Sequence, residues 1–280
     1  MKTNTEKNIY LTLDVEEWFH ANYKNIDFNE YSYDETNLEA NIDRFISLCA
    51  RYNIKSTCFV LGKVAEKKPQ IVYKLFKAGH EIASHGYNHK LIYDMTPEEF
   101  KGDLLKTCDI LRGITGEKVM GFRAPCWSVS RDNMNWFYPI LAEAGIKYSS
   151  SVYPARTFLY GIPGFPEEVH CPDMNGTRSA VIEIPVPVGK IFGKKIGFSG
   201  GFYFRAFPLW FIKRCVKKNT DKDKTVFIYL HPREIDRNEK RLPLPILEKF
   251  IHYVGVSGCY NKLAKLIEFY TFGRLDDIIS

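Results

Sequence analysis

The chain has 280 residues and a formal net charge of +6, and 45% of its residues are hydrophobic and 26% charged. This composition excludes wholesale disorder and supplies enough apolar side chains for one large α/β domain. The basic residues come in short pairs and triplets without a dense stripe, so we expect no nucleic-acid partner. No apolar run reaches the roughly 18 residues of a bilayer-spanning helix, so we expect no membrane span.

The N-terminus and the cysteines indicate the cellular compartment. Residues 1–18 lack the apolar core and the small-residue cleavage site of a signal peptide, which predicts a cytoplasmic protein. The seven cysteines are scattered and include no C-x-x-C pair. This pattern argues against a disulfide framework and against a thiolate zinc site, and we expect reduced, mostly buried thiols.

Segments with strand and helix character alternate along the chain. Apolar runs that alternate or are rich in β-branched residues predict strands at 9–15, 55–61, 81–84, 118–122, 146–150, 180–186 and 225–230. Apolar residues at helical spacing predict helices at 38–52, 64–77, 96–111, 132–144, 204–218, 245–253 and 260–270. Thr96 and Glu99 form the pattern of a capping box at the start of the third of these helices. A stretch rich in proline and glycine, 153–176, is predicted to be irregular.

Strands that alternate with helices predict an α/β fold with a mainly parallel sheet and right-handed crossovers. About seven such units favour a distorted, seven-stranded (β/α) barrel. An open doubly wound sheet is the alternative, but the chain contains no G-x-G-x-x-G or P-loop sequence that would favour it. We predict a single catalytic domain over residues 1–280, with a core at 8–235 and a helical C-terminal extension at 236–280.

Ionisable residues gather at the ends of the predicted strands. In a (β/α) barrel the C-terminal ends of all strands lie at one rim, where the chemistry takes place. The residues that follow strands in this way are Asp14, Glu16, Glu17, His85, His89, Arg123 and His231. The chain has only seven histidines, so the presence of three at one rim indicates a functional site.

His85 and His89 stand four residues apart, so a turn of helix or a tight loop lets both imidazoles face one point, as zinc ligands must. Two neighbouring surface histidines would have the same spacing, so the pair alone does not decide. A carboxylate from Asp14 or Glu16 would complete a set of two histidines and one acid with open positions. That set also suits a non-haem iron oxygenase, which leaves the reaction open at this point.

Two features favour hydrolysis. Asp14 and Glu16 lie two residues apart on an extended segment, so one can bind metal while the other takes a proton from water. The alternative is a solvated cluster of acids. His231 follows an apolar strand and has no carboxylate close by in the sequence. A histidine can protonate the departing nitrogen of an amide, although many histidines at strand ends are ordinary core residues.

At these residues the chain resembles the polysaccharide deacetylase, or NodB-homology, family (carbohydrate esterase family 4). The matching motifs occur in order: T-L-D-V-E at 12–16, S-T-C-F-V-L-G at 56–62, H-G-Y-N-H at 85–89, R-A-P at 123–125 and Y-L-H at 229–231. The chain is similar in particular to a branch associated with bacterial exopolysaccharide loci. The motifs of that branch are D-V-E-E-W-F-H at 14–20, G-G-F-Y-F-R at 200–205 and H-P-R-E-I-D at 231–236.

The resemblance implies that Asp14 is the general base and His231 the general acid. Arg123 would orient Asp14 and keep it ionised. The implied ligands of a divalent metal, Zn²⁺ in the first place and Co²⁺ or Ni²⁺ as alternatives, are Glu16, His85 and His89. The residues expected to contact the substrate are Pro125, Trp127, Ser149, Ser150 and Arg205.

Three residues depart from the family's pattern. Val15 stands at the position of the second aspartate, so the acidic metal ligand has to come from a later residue, Glu16 by preference. Ser149 stands where the branch has an aspartate, and a serine cannot raise the pKa of His231 by its charge. Arg233 replaces a common tryptophan, which changes the contacts with the substrate.

The residues and the resemblance together predict a metal-dependent N-deacetylase, in which metal-bound hydroxide attacks the acetamido group of an amino sugar. The sugar is expected to be nucleotide-linked, lipid-linked or part of a glycan. The alternatives are a deformylase or a cyclic-amide hydrolase of the same fold and, because of Ser149, a non-catalytic carbohydrate-binding protein. No oligomeric state is predicted.

Overall fold

The computed structural model describes residues 8–20, 36–157, 160–174, 176–236 and 241–279. Within these ranges the strands are β1 (Ile9–Val15), β2 (Thr57–Val60), β3 (Glu81–Ser84), β4 (Gly121–Phe122), β5 (Tyr148–Ser149), β6 (Asp173–Met174), β7 (Thr177–Arg178), β8 (Ile182–Glu183), β9 (Val188–Ile191), β10 (Lys194–Gly197) and β11 (Val226–Leu230). The α-helices are α1 (Leu38–Arg51), α2 (Gly62–Lys67), α3 (Pro69–Lys77), α4 (Pro97–Thr115), α5 (Met134–Glu143), α6 (Gly201–Ala206), α7 (Leu209–Thr220), α8 (Ile246–Tyr253) and α9 (Val256–Phe269). None of the described helices has the length and hydrophobicity to cross a bilayer.

A seven-stranded sheet in the order β11-β1-β2-β3-β4-β5-β8 forms the centre of the fold. Every neighbouring pair in it is parallel. The predicted seven-stranded, distorted (β/α) barrel is therefore confirmed. The prediction of a single catalytic domain stays a prediction.

Both faces of the sheet are buried, as expected for parallel strands covered by helices. Along β11, Val226 and Ile228 belong to the large apolar core that also contains residues of the helices. Their neighbours Phe227 and Tyr229 point to the opposite face and belong to a smaller cluster inside the curled sheet. Polar side chains that reach this inner face are therefore enclosed by the sheet.

The structure differs from the predicted elements at two proline-containing breaks. The helix predicted at 64–77 is divided into α2 and α3, and Pro69 occupies the first turn of α3. The helix predicted at 204–218 is divided into α6 and α7 by Pro208, the N-cap of α7. Proline lacks a backbone N–H and is favoured at the start of a helix, so a new helix begins at each of these prolines.

Two short antiparallel hairpins, β6–β7 and β9–β10, were not predicted. The first lies partly in the stretch that was expected to be irregular. The capping box of α4 is confirmed, because the backbone N–H of Glu99 donates to Thr96 Oγ1 at 3.2 Å and the backbone N–H of Thr96 donates to Glu99 Oε2 at 3.0 Å.

The C-terminal segment closes the end of the barrel at which the strands begin. The backbone N–H of Leu275 donates to Thr57 Oγ1 at 2.8 Å, and that of Asp276 donates to Glu81 Oε2 at 3.3 Å. The hydroxyl of Tyr148 donates to the other carboxyl oxygen of Glu81 at 2.8 Å. The opposite end, where the strands finish, remains available for a site.

Burial raises the pKa of Glu81 to about 7, and the charge of Asp276 adds to this effect. The folded state therefore holds the proton of Glu81 more tightly than the unfolded state, and its contribution to stability falls as the pH rises toward 7. The wild-type protein should therefore lose unfolding free energy between about pH 5 and about pH 7, and Glu81→Gln should reduce this loss, as measured by urea denaturation.

The matched control is Glu167→Gln. Burial opposes ionisation of Glu167, but Lys195 and Lys224 hold its pKa at about 2, so its charge is constant over this range. The control should show the pH dependence of the wild-type protein. Identical pH dependence in the Glu81 variant would contradict the expected proton linkage.

Candidate active site

Three buried side chains converge where β1 and β3 end. Glu16 follows β1, whereas His85 and His89 lie in the loop after β3. One ligand atom from each residue lies within 4.8 Å of the other two. Nε2 of His89 is 2.8 Å and Nε2 of His85 is 3.7 Å from Oε2 of Glu16. The structure thus brings the three predicted ligands together, on a tight loop rather than a helix.

The atoms of this cluster are suited to a divalent cation. Nδ1 of His85 lies 2.8 Å from the backbone carbonyl of Arg123, which can only accept, so Nδ1 carries the proton and Nε2 offers a lone pair. Oε2 of Glu16 is buried without a hydrogen-bond partner among the described residues. Burial would raise the pKa of Glu16, but His89 and His85 hold it well below its usual range. A cation between these atoms would relieve the repulsion of their lone pairs.

Asp14 and Arg123 form a buried ion pair beside the cluster. Nη1 of Arg123 lies 2.6 Å from Oδ1 of Asp14 and donates a second hydrogen bond to Thr12 Oγ1 at 2.9 Å. The guanidinium is fully buried, 4.1 Å from the ring centroid of Phe59 and 4.8 Å from that of Phe227. A charge in such surroundings has to be paired, so the arginine holds the aspartate in one position.

His231, directly after β11, faces both acidic groups. Its Nε2 is 3.9 Å from Asp14 Oδ2 and 3.7 Å from Glu16 Oε1, and its Nδ1 is 3.3 Å from Glu234 Oε2. Burial disfavours the charged imidazole, but the carboxylates of Glu234, Glu16 and Asp14 outweigh it and raise the pKa of His231. The expectation that His231 has no carboxylate near it in the sequence is wrong, because Glu234 follows three residues later in a 3₁₀ turn (Pro232–Ile235).

These groups open into one cavity of about 190 Å³. Trp127 lines it, as predicted. The wall also contains residues that were not predicted to belong to the site, which are Cys126, Tyr160, Phe202, Tyr203 and Tyr229. The motif G-G-F-Y-F-R, which contains two of these aromatic residues, was the available signal. Because aromatic residues are common in ordinary cores, that signal could not identify which of them face the site.

The other predicted substrate contacts lie elsewhere in the structure. Ser149 and Ser150 are fully buried, and Ser150 Oγ accepts a hydrogen bond from Nη2 of Arg123 at 3.2 Å. Pro125 is buried, and none of these three residues belongs to the described cavity wall. Arg205 reaches the wall, but its guanidinium donates to protein acceptors. Their direct contact with a substrate stays a prediction, whereas their observed contacts are with other protein groups.

The curled parallel sheet and the open cluster of one acid and two histidines at its rim define a distorted (β/α)-barrel protein with a candidate metal site. The chain belongs to the polysaccharide deacetylase family. The family described as "Polysaccharide deacetylase" matches residues 1–149, and a domain of unknown function (DUF3473) matches residues 150–280.

Relatives and solved structures agree with this assignment. The chain is 31% identical over 114 residues to a peptidoglycan deacetylase of Helicobacter pylori, which is 41% of this chain and 38% of that protein. It is 31% identical over 86 residues to a peptidoglycan-N-acetylglucosamine deacetylase of Bacillus cereus, which is 31% of each chain. The chain thus spans well under half the length of these relatives. The crystal structure of Puue allantoinase shares the fold, with a TM-score of 0.63 and 18% identity over 96% of this chain and 88% of that one.

The geometry predicts that Glu16, His85 and His89 bind one divalent cation. We expect His89→Ala to weaken zinc binding by about 100-fold or more, because it removes one of three protein ligands. Titration calorimetry and metal analysis of the purified protein measure this change. His170→Ala is the matched control, since Nδ1 of His170 contacts the carbonyl of Glu168 and the residue is outside the cluster. Unchanged zinc affinity of the His89 variant would exclude this site as the metal site.

Proposed function

We propose that the protein is a metal-dependent N-deacetylase that hydrolyses the acetamido group of an amino sugar in a glycan. The observation that carries the proposal is that the Glu16–His85–His89 cluster, the Asp14–Arg123 pair and His231 open into one cavity. Membership of the polysaccharide deacetylase family supports the reaction. The names of the Helicobacter and Bacillus relatives support a glycan as substrate.

Asp14 serves as the general base in this proposal. Its Oδ2 is directed toward the cavity side, 3.9 Å from Nε2 of His231, while Oδ1 is held by Arg123 at 2.6 Å. The ion pair fixes the carboxylate in the cavity wall, where it can accept a proton from water. A divalent cation at the neighbouring cluster, Zn²⁺ by preference, supplies Lewis-acid chemistry that favours water ionisation and polarises a carbonyl.

His231 serves as the general acid. An amide nitrogen leaves readily only when it is protonated, and the raised pKa of His231 keeps a protonated fraction available near neutral pH. Its Nε2 lies 3.9 Å from Asp14 Oδ2 and 3.7 Å from Glu16 Oε1, and both of these residues line the cavity. The proposed base and acid therefore reach the same cavity, in which the amide would bind.

The cavity wall favours a sugar ring. Trp127, Tyr160, Tyr203 and Tyr229 provide aromatic faces with polar edges, a combination that binds the apolar face and the hydroxyls of a sugar. A glycan is favoured over a nucleotide-linked or lipid-linked sugar by the relatives' names. The exopolysaccharide-associated branch and the cytoplasmic location stay predictions, and residues 1–7, on which the latter partly rests, lie outside the described residues.

Asp14→Asn is expected to lower kcat by about 10²-fold or more, because general-base catalysis is lost while the three metal ligands remain. Acetate release from N-acetylglucosamine oligomers, detected by mass spectrometry, measures the effect, and metal analysis shows that the cation is retained. Asp43→Asn, at an exposed residue paired with Lys74, is the control for the loss of a carboxylate. Full activity of a folded, metal-loaded Asp14 variant would refute the base assignment.

The same assay separates the alternatives when the panel includes formylated sugars, nucleotide-linked amino sugars and cyclic amides. If the protein hydrolysed a cyclic amide and none of the sugars, the proposed N-deacetylase would have to be replaced by a cyclic-amide hydrolase. Sugar binding without turnover under any divalent metal would favour a non-catalytic protein.

A further inference from the structure

The general acid of the proposed reaction needs a partner that the sequence pattern does not supply. Ser149 stands where the resemblance leads one to expect an aspartate, and a serine carries no charge. In the structure the hydroxyl of Ser149 donates to Ser151 Oγ at 2.7 Å. His231 therefore has to find its carboxylate elsewhere.

Glu234 occupies that place. Its carboxylate is fully buried, and Oε2 lies 3.3 Å from Nδ1 of His231 and accepts the backbone N–H of His231 at 3.1 Å. The backbone N–H of Glu234 donates to the carbonyl of His231 at 3.0 Å and is also directed at the imidazole, as in a capping box. Nδ1 is buried and forms no hydrogen bond of regular geometry to a described residue, and Oε2 of Glu234 is the carboxylate oxygen paired with it, at 3.3 Å. The carboxylate is thus the acceptor available to a proton on Nδ1.

Arg205 holds this carboxylate from the other side. Its Nε donates to Glu234 Oε1 at 2.8 Å, and both side chains are at most 1% exposed. The remaining donors of the guanidinium bind the backbone carbonyls of Ile251, His252 and Val254 at the end of α8, at 2.7–3.0 Å. Both carboxylate oxygens of Glu234 are thus engaged, which holds the carboxylate beside His231.

We propose that Glu234, clamped by Arg205, is the positioning residue for His231: it accepts Nδ1–H and so directs Nε2 toward the cavity. A buried carboxylate that binds one imidazole nitrogen fixes both the tautomer and the orientation of the ring. All three residues belong to the segment that matches a domain of unknown function. This segment would therefore supply the general acid and orient it. The role as an acid rests on the proposed function.

The first experiment reads the tautomer directly and does not depend on activity. Zinc-loaded protein labelled with ¹⁵N-histidine is studied by NMR at alkaline pH, where the imidazole is neutral, and His231→Asn identifies the signal. We expect the Nδ1–H tautomer in the wild-type protein. The Nε2–H tautomer would mean that Nδ1 accepts a hydrogen bond from the backbone, and this result would overturn the proposal.

The second experiment measures the catalytic consequence. In zinc-loaded Glu234→Gln we expect kcat to fall by about 100-fold with little change in KM, because the acid is misoriented while the cavity wall is intact. Glu234→Asp, which keeps the charge, should recover part of the loss. Glu167→Gln removes a partly buried carboxylate paired with Lys195 and Lys224 and should keep the wild-type kcat.

Thermal unfolding of each variant separates misfolding from misorientation. A folded Glu234→Gln variant with wild-type kcat would overturn the proposal. If this variant does not fold, the tautomer of the wild-type protein decides. Wild-type protein with the expected tautomer but without deacetylase activity would refute the proposed function and still support the positioning by Glu234.

Discussion

The buried guanidinium of Arg123 is the constraint on which the site depends. A cation inside the curled sheet is tolerated only with an anion in contact, and removal of one partner of such a pair typically costs about 3–5 kcal/mol. Its side chain holds Asp14, and its backbone carbonyl accepts Nδ1–H of His85. One residue thereby sets the distance between the candidate base and a candidate metal ligand. The ends of three strands (β1, β3 and β4) are joined through it.

The site also depends on the closure of the sheet across the two matched segments. The first segment ends at β5, whereas β11 belongs to the second and pairs with β1 from Ile9↔Val226 to Leu13↔Leu230. This register places the residue after β11, His231, opposite Asp14. Neither segment holds the complete set of groups. The chemistry proposed for the chain is therefore a property of the whole parallel sheet rather than of the matched deacetylase segment.

Much of the fold could be predicted because each buried strand is a short apolar run between helical segments. What could not be predicted was where a regular pattern is interrupted. The segment 64–77 keeps a helical periodicity across Pro69, and only the backbone geometry shows that a new helix begins there. The hairpin β9–β10 has little apolar signal, because three of its strand residues are lysines (Lys190, Lys194 and Lys195) and two are glycines (Gly189 and Gly197). Such strands depend on pairing, which local sequence does not report.

The candidate metal cluster could be predicted because strand ends meet at one rim and two imidazoles four residues apart can face one cation. Residues that act on the site only through another side chain are harder to predict. Arg205 was expected to contact the substrate and ends the motif G-G-F-Y-F-R of the branch that the chain resembles. Burial decides where the side chain of Arg205 points. Once its stem points inward, the guanidinium must find acceptors, and it finds Glu234 and the carbonyls that end α8.

Ser149, which stands where the family branch has an aspartate, also shows that the partner of a catalytic group cannot be assigned from one sequence position. If only a residue at position 149 could pair with His231, the serine there would leave the proposed general acid without a carboxylate. The imidazole, however, has two nitrogens, whose hydrogen-bonding directions diverge. Glu234 approaches Nδ1 from the turn that follows β11, while Nε2 remains on the cavity side. The requirement is for a buried anion at the edge of the ring away from the substrate, and any element that reaches that edge can meet it.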